Sequence, residues 1–280
     1  MRQEWKIKDR LLKFHHKTLI MGVLNVTPDS FSDGGSYPTV ASAVERALEM
    51  ERQGADIIDI GGESTRPWGY TLLSDEEEIA RVVPMIESVK ANFDIPISLD
   101  TYKSGVAEAG IRAGANLIND IWGLKYDNRM AEVIAKSGLP CCLMHNRKEA
   151  DYRDFMQDVA ADLADTIHLA EAAGIADEKI ILDPGVGFGK TYEQNLIAMN
   201  RLDELLTLGC PVLLAASRKS VIGLTLDLPA DQRLEGTIAT TVAGVLRGAA
   251  FVRVHDVKEN LRAAQMALAI RREAGLDAQL

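Results

Sequence analysis

Eight times along the chain a short apolar run, often rich in β-branched residues, ends in a polar or charged one. The first four are residues 19–24 before Asn25, 57–60 leading through two glycines to Glu63, 97–99 before Asp100, and 117–118 before Asn119-Asp120. The other four are 141–144 before His145, 180–182 before Asp183, 212–214 leading to Ser217-Arg218-Lys219, and 251–252 before Arg253 and His255. Uninterrupted apolar runs of this length read as parallel strands buried on both faces. Amphipathic, helix-length segments separate them, predicted over 40–53, 75–91, 103–113, 128–136, 155–173, 193–208, 231–247 and 257–273. Gly54, Gly114, Gly138, Gly174, Gly209 and Gly248 stand where helices of this kind end, the position at which glycine's left-handed backbone closes a helix. Strand and helix alternating eight times predict an α/β fold, a (β/α)8 TIM barrel. It forms a single domain over 1–280, with 1–17 as an N-terminal extension before the first barrel strand. In such a barrel the residues closing the strands converge on one mouth, where reactive groups sit.

Composition narrows the partners. The 280 residues suit one barrel, for which about 250 is typical. A formal net charge of −10 counts against nucleic acid or an anionic membrane as the main partner. Three cysteines, two of them adjacent at Cys141-Cys142, make no disulfide framework and suit a reducing cytoplasm. Residues 1–17 are heavily charged and lack the apolar core of a secretory signal. The apolar stretch at 243–254 is broken by Arg247 and Arg253 and is too short to span a bilayer.

Two strand-to-helix connections, 25–38 and 61–73, exceed the usual 2–6 residues. Their hydroxyls, glycines and single charges predict loops that close over the mouth rather than solvated insertions. A third segment, Asp183-Pro184-Gly185-Val186-Gly187-Phe188-Gly189-Lys190-Thr191, resembles two phosphate-binding motifs and satisfies neither. A Walker A loop needs glycine where Pro184 stands, and a dinucleotide fingerprint counted from Gly185 needs glycine at Lys190. It reads instead as a tight turn that lets a ligand approach backbone, with Asp183 as the functional group.

Asp100, Asn119 and Asp183 end the third, fourth and sixth runs, so all three are expected at the mouth. Two carboxylates and a carboxamide suit a flat heterocycle with an amino-substituted, guanidine-like edge. Taken alone, Asp100 could equally cap the third helix. The last two runs lead to Arg218, Lys219, Ser220, Arg253 and His255. Barrels commonly place phosphate there, and a helix beginning near Ser220 would add backbone N–H groups. His255 can also be read as a helix cap. His145 has no assigned role, and His15, His16 and His168 read as surface residues.

These same residues carry a family resemblance. The string from Asn25 to Gly35, Asn25-Val26-Thr27-Pro28-Asp29-Ser30-Phe31-Ser32-Asp33-Gly34-Gly35, is similar to the first signature of the dihydropteroate synthases. Six further strings resemble that family's motifs, in the same order: Gly61-Gly62-Glu63-Ser64-Thr65-Arg66-Pro67, Asp100-Thr101-Tyr102-Lys103, Asn119-Asp120-Ile121, the Asp183–Lys190 turn, Ser217-Arg218-Lys219-Ser220, and Arg253-Val254-His255-Asp256. The likeness spans about residues 19–258. Trp68 departs from it, since glycine usually follows that proline.

The resemblance implies a transferase of folate biosynthesis. It joins 6-hydroxymethyl-7,8-dihydropterin pyrophosphate to 4-aminobenzoate with Mg2+, as a cytoplasmic homodimer open to sulfonamides. It implies pterin contacts from Asp100, Asn119, Asp183, Lys219 and Arg253, with Asp100, Lys219 and Arg253 catalytic. Asn25, Arg66, Arg253 and His255 would take pyrophosphate, and Asn25 also the metal. Phe31, Thr65, Arg66, Pro67, Phe188 and Ser220 would enclose aminobenzoate. Two alternatives share the barrel: a methyltetrahydrofolate-binding methyltransferase, which needs neither the first loop nor the Ser217–Ser220 anion site, and an inactive pterin-binding paralogue.

Overall fold

The computed structural model describes residues 4–7, 10–13, 17–26, 40–63 and 72–273. Phe31, Thr65, Arg66, Pro67 and Trp68 lie outside the described residues. A hairpin of β1 (Glu4–Ile7) and β2 (Arg10–Lys13), paired antiparallel, occupies the N-terminal extension. The barrel strands follow: β3 (Leu19–Asn25), β4 (Ile57–Gly61), β5 (Ile97–Asp100), β6 (Leu117–Asp120), β7 (Cys141–Met144), β8 (Ile180–Asp183), β9 (Leu213–Leu214) and β10 (Phe251–Val254). All pair in parallel, in the order β8-β7-β6-β5-β4-β3-β10-β9. The ring closes through a bridge between Leu182 and Val212, with the Leu182 N–H donating to the Pro211 carbonyl at 3.0 Å.

Neighbouring strand residues point to opposite faces, and the core divides accordingly. Leu19, Met21, Ile57, Leu117, Cys142, Ile181, Leu213 and Phe251 form the inner cluster, joined by Leu12 of the hairpin. Ile20, Ile58, Ile97, Ile118, Cys141 and Ile180 belong to the larger cluster packed under the helices. The adjacent cysteines thus lie in different layers.

The helices are α1 (Val40–Gln53), α2 (Asp75–Asn92), α3 (Ser104–Ala113), α4 (Met130–Ser137), α5 (Phe155–Ala172), α6 (Tyr192–Asn200), α7 (Ser220–Leu226), α8 (Leu234–Leu246) and α9 (Val257–Arg272). Helix α2 starts where Ser74 and Glu77 form a reciprocal capping box, followed by acids at 75–78 that suit the positive end of the helix dipole. The helix predicted over 193–208 is two elements. Helix α6 ends at Asn200, and a 3-10 helix runs over Leu202–Leu208. Leu202 and Leu205 are both buried, and their spacing of three fits three residues per turn better than 3.6. The predicted 231–247 helix begins later, at Leu234, behind a short 3-10 turn. At the start of α3 the Ser104 N–H donates to Asp127 Oδ2 at 2.8 Å, so the capping alternative for Asp100 falls away.

Candidate active site

The mouth is built on one buried ion-pair system. Asp59 lies inside β4 and Asp100 closes β5. Arg253 of β10 reaches both: Nε donates to Asp59 Oδ2 at 2.6 Å and a terminal nitrogen to Asp100 Oδ2 at 2.7 Å. The Asn119 carboxamide of β6 donates to Asp59 Oδ2 at 3.4 Å. Among the described residues, Asp59 Oδ1, Asp100 Oδ1 and Ser98 Oγ are buried with no hydrogen-bond partner. Buried polar atoms are seldom left so, and their clustering in adjacent β4 and β5 marks acceptor capacity held ready. Burial pushes the Asp100 carboxyl up to about 7, against the pull of Arg253 and with the help of Asp59. Arg253 is itself raised: burial works against its charge, and the two carboxylates outweigh burial.

Asp183 closes β8 on the next part of the rim. One oxygen accepts from the Gly185 N–H at 2.7 Å, and burial raises its carboxyl while Lys219 opposes that rise. The turn after it needs glycine for two separate reasons. Gly185 and Gly189 have φ of +70° and +52°, and a Cβ on either would lie 1.9 or 2.2 Å from the carbonyl oxygens of His145 and Arg147. Beyond β9, Lys219 extends back over this turn. Its ammonium donates to the Val186 carbonyl at 2.5 Å and stands 4.9 Å from the centre of the Phe188 ring. Burial pulls that ammonium down to about 8, with Asp183 opposing. Arg218 goes the other way, its φ of +57° turning it to a two-pronged ion pair with Asp256 at 3.1 and 2.6 Å.

Four expected residues ring this centre. Asn25 ends β3, and a Cβ placed on Gly61 would lie 3.8 Å from its Oδ1 and 3.6 Å from Asp100 Oδ2. Gly61 therefore keeps open the space that Asn25 and Asp100 flank. His255 Nδ1 lies 2.9 Å from Ser217 Oγ, and its carbonyl accepts from Arg46 at 2.9 Å. Ser220 is exposed at the first turn of α7. Phe188 packs in a small cluster with Tyr102, Ile121, Trp122 and Met144. Phe31, Thr65, Arg66 and Pro67 cannot be placed, being outside the described residues.

Two features escaped the sequence. Asp59 interrupts an otherwise apolar strand, a signal available from the pattern Ile-Ile-Asp-Ile. Lys103 is buried between Glu63 and Glu78, donating at 2.7 and 2.8 Å and also to the Leu73 carbonyl at 2.8 Å. Glu63 in turn accepts from the Leu73 N–H at 2.9 Å and from the Tyr102 hydroxyl. One ammonium thus ties Glu63 to Leu73 across ten positions of chain, and burial raises the Glu78 carboxyl beside it. Among the described residues no group of three or more His, Cys, Asp or Glu side chains forms a metal cage, and no helix is long and apolar enough to cross a membrane.

Comparison with known proteins assigns the lineage. Residues 21–255 match the family described as pterin binding enzyme. A dihydropteroate synthase of Clostridium beijerinckii is 59% identical over 262 residues, covering 93% of this chain and 97% of that protein. A crystal structure of a dihydropteroate synthase from Clostridium difficile in the presence of pteroic acid superposes with a TM-score of 0.88 at 52% identity, covering 91% of this chain and 97% of that one. The Xanthomonas albilineans dihydropteroate synthase with 4-aminobenzoic acid gives a TM-score of 0.91 at 40% identity, covering 97% and 99%. With eight parallel strands, one buried mouth and relatives of this identity over nearly all their length, the chain belongs to the pterin-binding enzyme family and, within it, to the dihydropteroate synthases.

Proposed function

We propose that the mouth binds 6-hydroxymethyl-7,8-dihydropterin pyrophosphate and couples it to 4-aminobenzoate, giving 7,8-dihydropteroate and pyrophosphate. The observation that carries this reading is the Asp59–Arg253–Asp100 bridge, which leaves a buried oxygen of Asp100 without a partner. A flat, N–H-rich ring supplies the missing donor, and a carboxylate beside it stabilises positive charge as the exocyclic C–O bond breaks. Asp183 retains acceptor capacity beyond its bond to Gly185, and with Asn119 holds the aminopyrimidinone edge. Lys219 bonds the ring's other side.

In this reading the C–O electron pair leaves with pyrophosphate, the aniline nitrogen then attacks the carbon, and the nitrogen's proton is lost. Arg253, His255, Asn25 and Arg66 receive the leaving pyrophosphate. Phe31, Thr65, Arg66, Pro67, Phe188 and Ser220 enclose aminobenzoate and exclude water that would capture the pterin cation. Mg2+ fits the donor set at one point. Asn25 offers a neutral hard oxygen beside the open space over Gly61, and Mg2+ commonly takes few protein ligands and completes its shell from substrate phosphates and water. When bound it supplies charge neutralisation to the leaving group.

The test of this function is formation of dihydropteroate from the two substrates, followed as kcat/KM against pH. Asp100 must be ionised to stabilise the cation, and its carboxyl is raised to about 7. Activity is therefore expected to fall as pH drops through about 7, a limb set by the free enzyme and shared with its carboxylate neighbour. Asp100→Asn should lose most activity and this limb with it. A profile flat down to the ordinary carboxylate range, about pH 4, would remove Asp100 from the chemistry.

A homodimer is the assembly we propose. Leu224 of α7, Leu246 of α8, and Met266 and Ile270 of α9 are exposed on three successive helices, and exposed apolar groups that come together mark protein contacts. Sedimentation as a monomer at micromolar concentration would refute it. The buried free thiols of Cys141, Cys142 and Cys210, all raised by burial, suit the proposed cytoplasmic location.

A further inference from the structure

A half-buried chain of polar groups runs beside the turn that follows Asp183, and the reaction just described does not use it. Lys190 ends that turn. Its ammonium donates to the Phe188 carbonyl at 3.1 Å and meets His145 Nδ1 at 2.8 Å. On the far side of the ring, His145 Nε2 lies 3.0 Å from Asp162 Oδ2, which also accepts from Arg147 Nε at 2.6 Å. The partners fix the tautomer: Nε2–H faces a carboxylate, so Nδ1 is the acceptor for Lys190. The ammonium would lie 3.3 Å from a Cβ on Gly185, the residue whose N–H binds Asp183.

We propose that Lys190 is a positioning residue for the pterin pocket, a second, half-buried cation that keeps Asp183 a carboxylate while its hydrogen bonds hold the glycine turn in place. The inference rests on the reading of Asp183 as a pterin contact. Asp183 is buried, and a buried carboxylate stays ionised only with compensating charge. Lys219 is the evident source, but it reaches the site from beyond β9 and donates to the Val186 carbonyl. Lys190 adds a second charge beside Gly185 in the same turn. His145 and Asp162 serve it in turn: burial, together with the Lys190 charge, pulls the imidazole down to about 3, so the ring stays neutral and able to accept.

The groups facing Lys190 are His145 and Arg147 beyond β7, Asp162 on α5, Asp183 on β8 and Lys219 beyond β9. Burial pulls the Lys190 ammonium down to about 7, with Asp183 opposing. That value separates an electrostatic role from a purely structural one. Below it the wild-type protein carries the charge and a Lys190→Met variant does not. Well above it neither does, and both retain the same Lys219.

The experiment is calorimetry of 6-hydroxymethyl-7,8-dihydropterin binding to wild type, Lys190→Met, Lys190→Gln and Lys190→Arg across pH, with thermal unfolding as a check on folding. Wild type and Lys190→Arg should bind alike at about pH 6. Lys190→Met and Lys190→Gln should bind about twofold or more weakly there, because a raised Asp183 pKa protonates part of a carboxylate that wild type keeps ionised. By about pH 9, roughly two units above the Lys190 value, the neutral variants should approach wild type. A deficit of equal size at every pH would make Lys190 a structural clamp and overturn the proposal, as would unchanged affinity throughout. Failure of the wild-type protein to bind the pterin would overturn the pocket reading itself.

Discussion

Arg253→Met is expected to lower kcat/KM by at least a hundredfold and to destabilise the fold at neutral pH. The arginine is the counter-ion of two buried carboxylates at once, with Asp59 fully buried and Asp100 nearly so. Removing one member of a buried ion pair leaves an uncompensated charge and costs about 3–5 kcal/mol. At 1.36 kcal/mol per decade, that corresponds to roughly two to four orders of magnitude if it is expressed in the transition state. The variant can relieve the strain only by protonating a carboxylate, and a protonated Asp100 no longer stabilises the pterin cation. Arg253→Lys should be intermediate, because it keeps the charge and loses the planar fork that reaches both partners. The check is kcat/KM alongside urea unfolding for both variants. Wild-type turnover by Arg253→Met would show that the bridge is scaffolding alone.

Lys219→Met should cost at least a hundredfold in kcat/KM for the pterin substrate, against a few-fold for Arg218→Met. The two are adjacent in sequence and unlike in place. Lys219 lies over the glycine turn, against Val186 and Phe188 and in the field of Asp183. Arg218 is turned away to Asp256, with 38% of its side chain exposed, where an ion pair contributes about 0–1 kcal/mol. Removing a charged hydrogen-bond donor from the pterin contact costs about 1.5–3 kcal/mol in binding alone, and losing the counter-charge of Asp183 adds to it. Side-by-side kinetics showing equal losses in the two variants would contradict this placement.

The barrel was legible because its strands are buried on both faces and most are therefore written as apolar runs. Asp59 does not stand at the end of a run, where a barrel's functional residues are expected. Asp59 instead sits within one, tolerated at full burial only because Arg253, distant in sequence, reaches it. That pairing depends on β10 lying beside β3 and β3 beside β4, which no local pattern encodes. Asp127, which supplies the cap that Asp100 was suspected of providing, is likewise brought in from the connection after β6. The hairpin of β1 and β2 lies in a charged segment that carries no strand signal, and its Leu12 enters the barrel's interior cluster. Helix α6 was drawn too long because leucines spaced by three fit both helical periods.

The mouth itself was legible to a different degree in its two halves. Asp100, Asn119, Asp183 and Arg253 stand in the C-terminal halves of strands and Lys219 a few residues beyond one, so the barrel rule alone puts them together. The buried and half-buried support behind them, Lys103 with Glu63 and Glu78, and Lys190 with His145 and Asp162, is made of charged residues in loops and helices. In a sequence such residues look like solvated surface. Only the fold shows them buried and paired.

In the proposed reaction this mouth lets pyrophosphate leave before the amine attacks. The most direct measurement is pyrophosphate formation from 6-hydroxymethyl-7,8-dihydropterin pyrophosphate on a stoichiometric amount of enzyme with Mg2+, in the absence of 4-aminobenzoate, for wild type and Asp100→Asn. Wild type should form pyrophosphate without the amine, Asp100→Asn should do so far more slowly, and adding 4-aminobenzoate should divert the pterin to dihydropteroate. Pyrophosphate appearing only together with dihydropteroate, one for one and never in the amine's absence, would mean direct displacement and contradict that order.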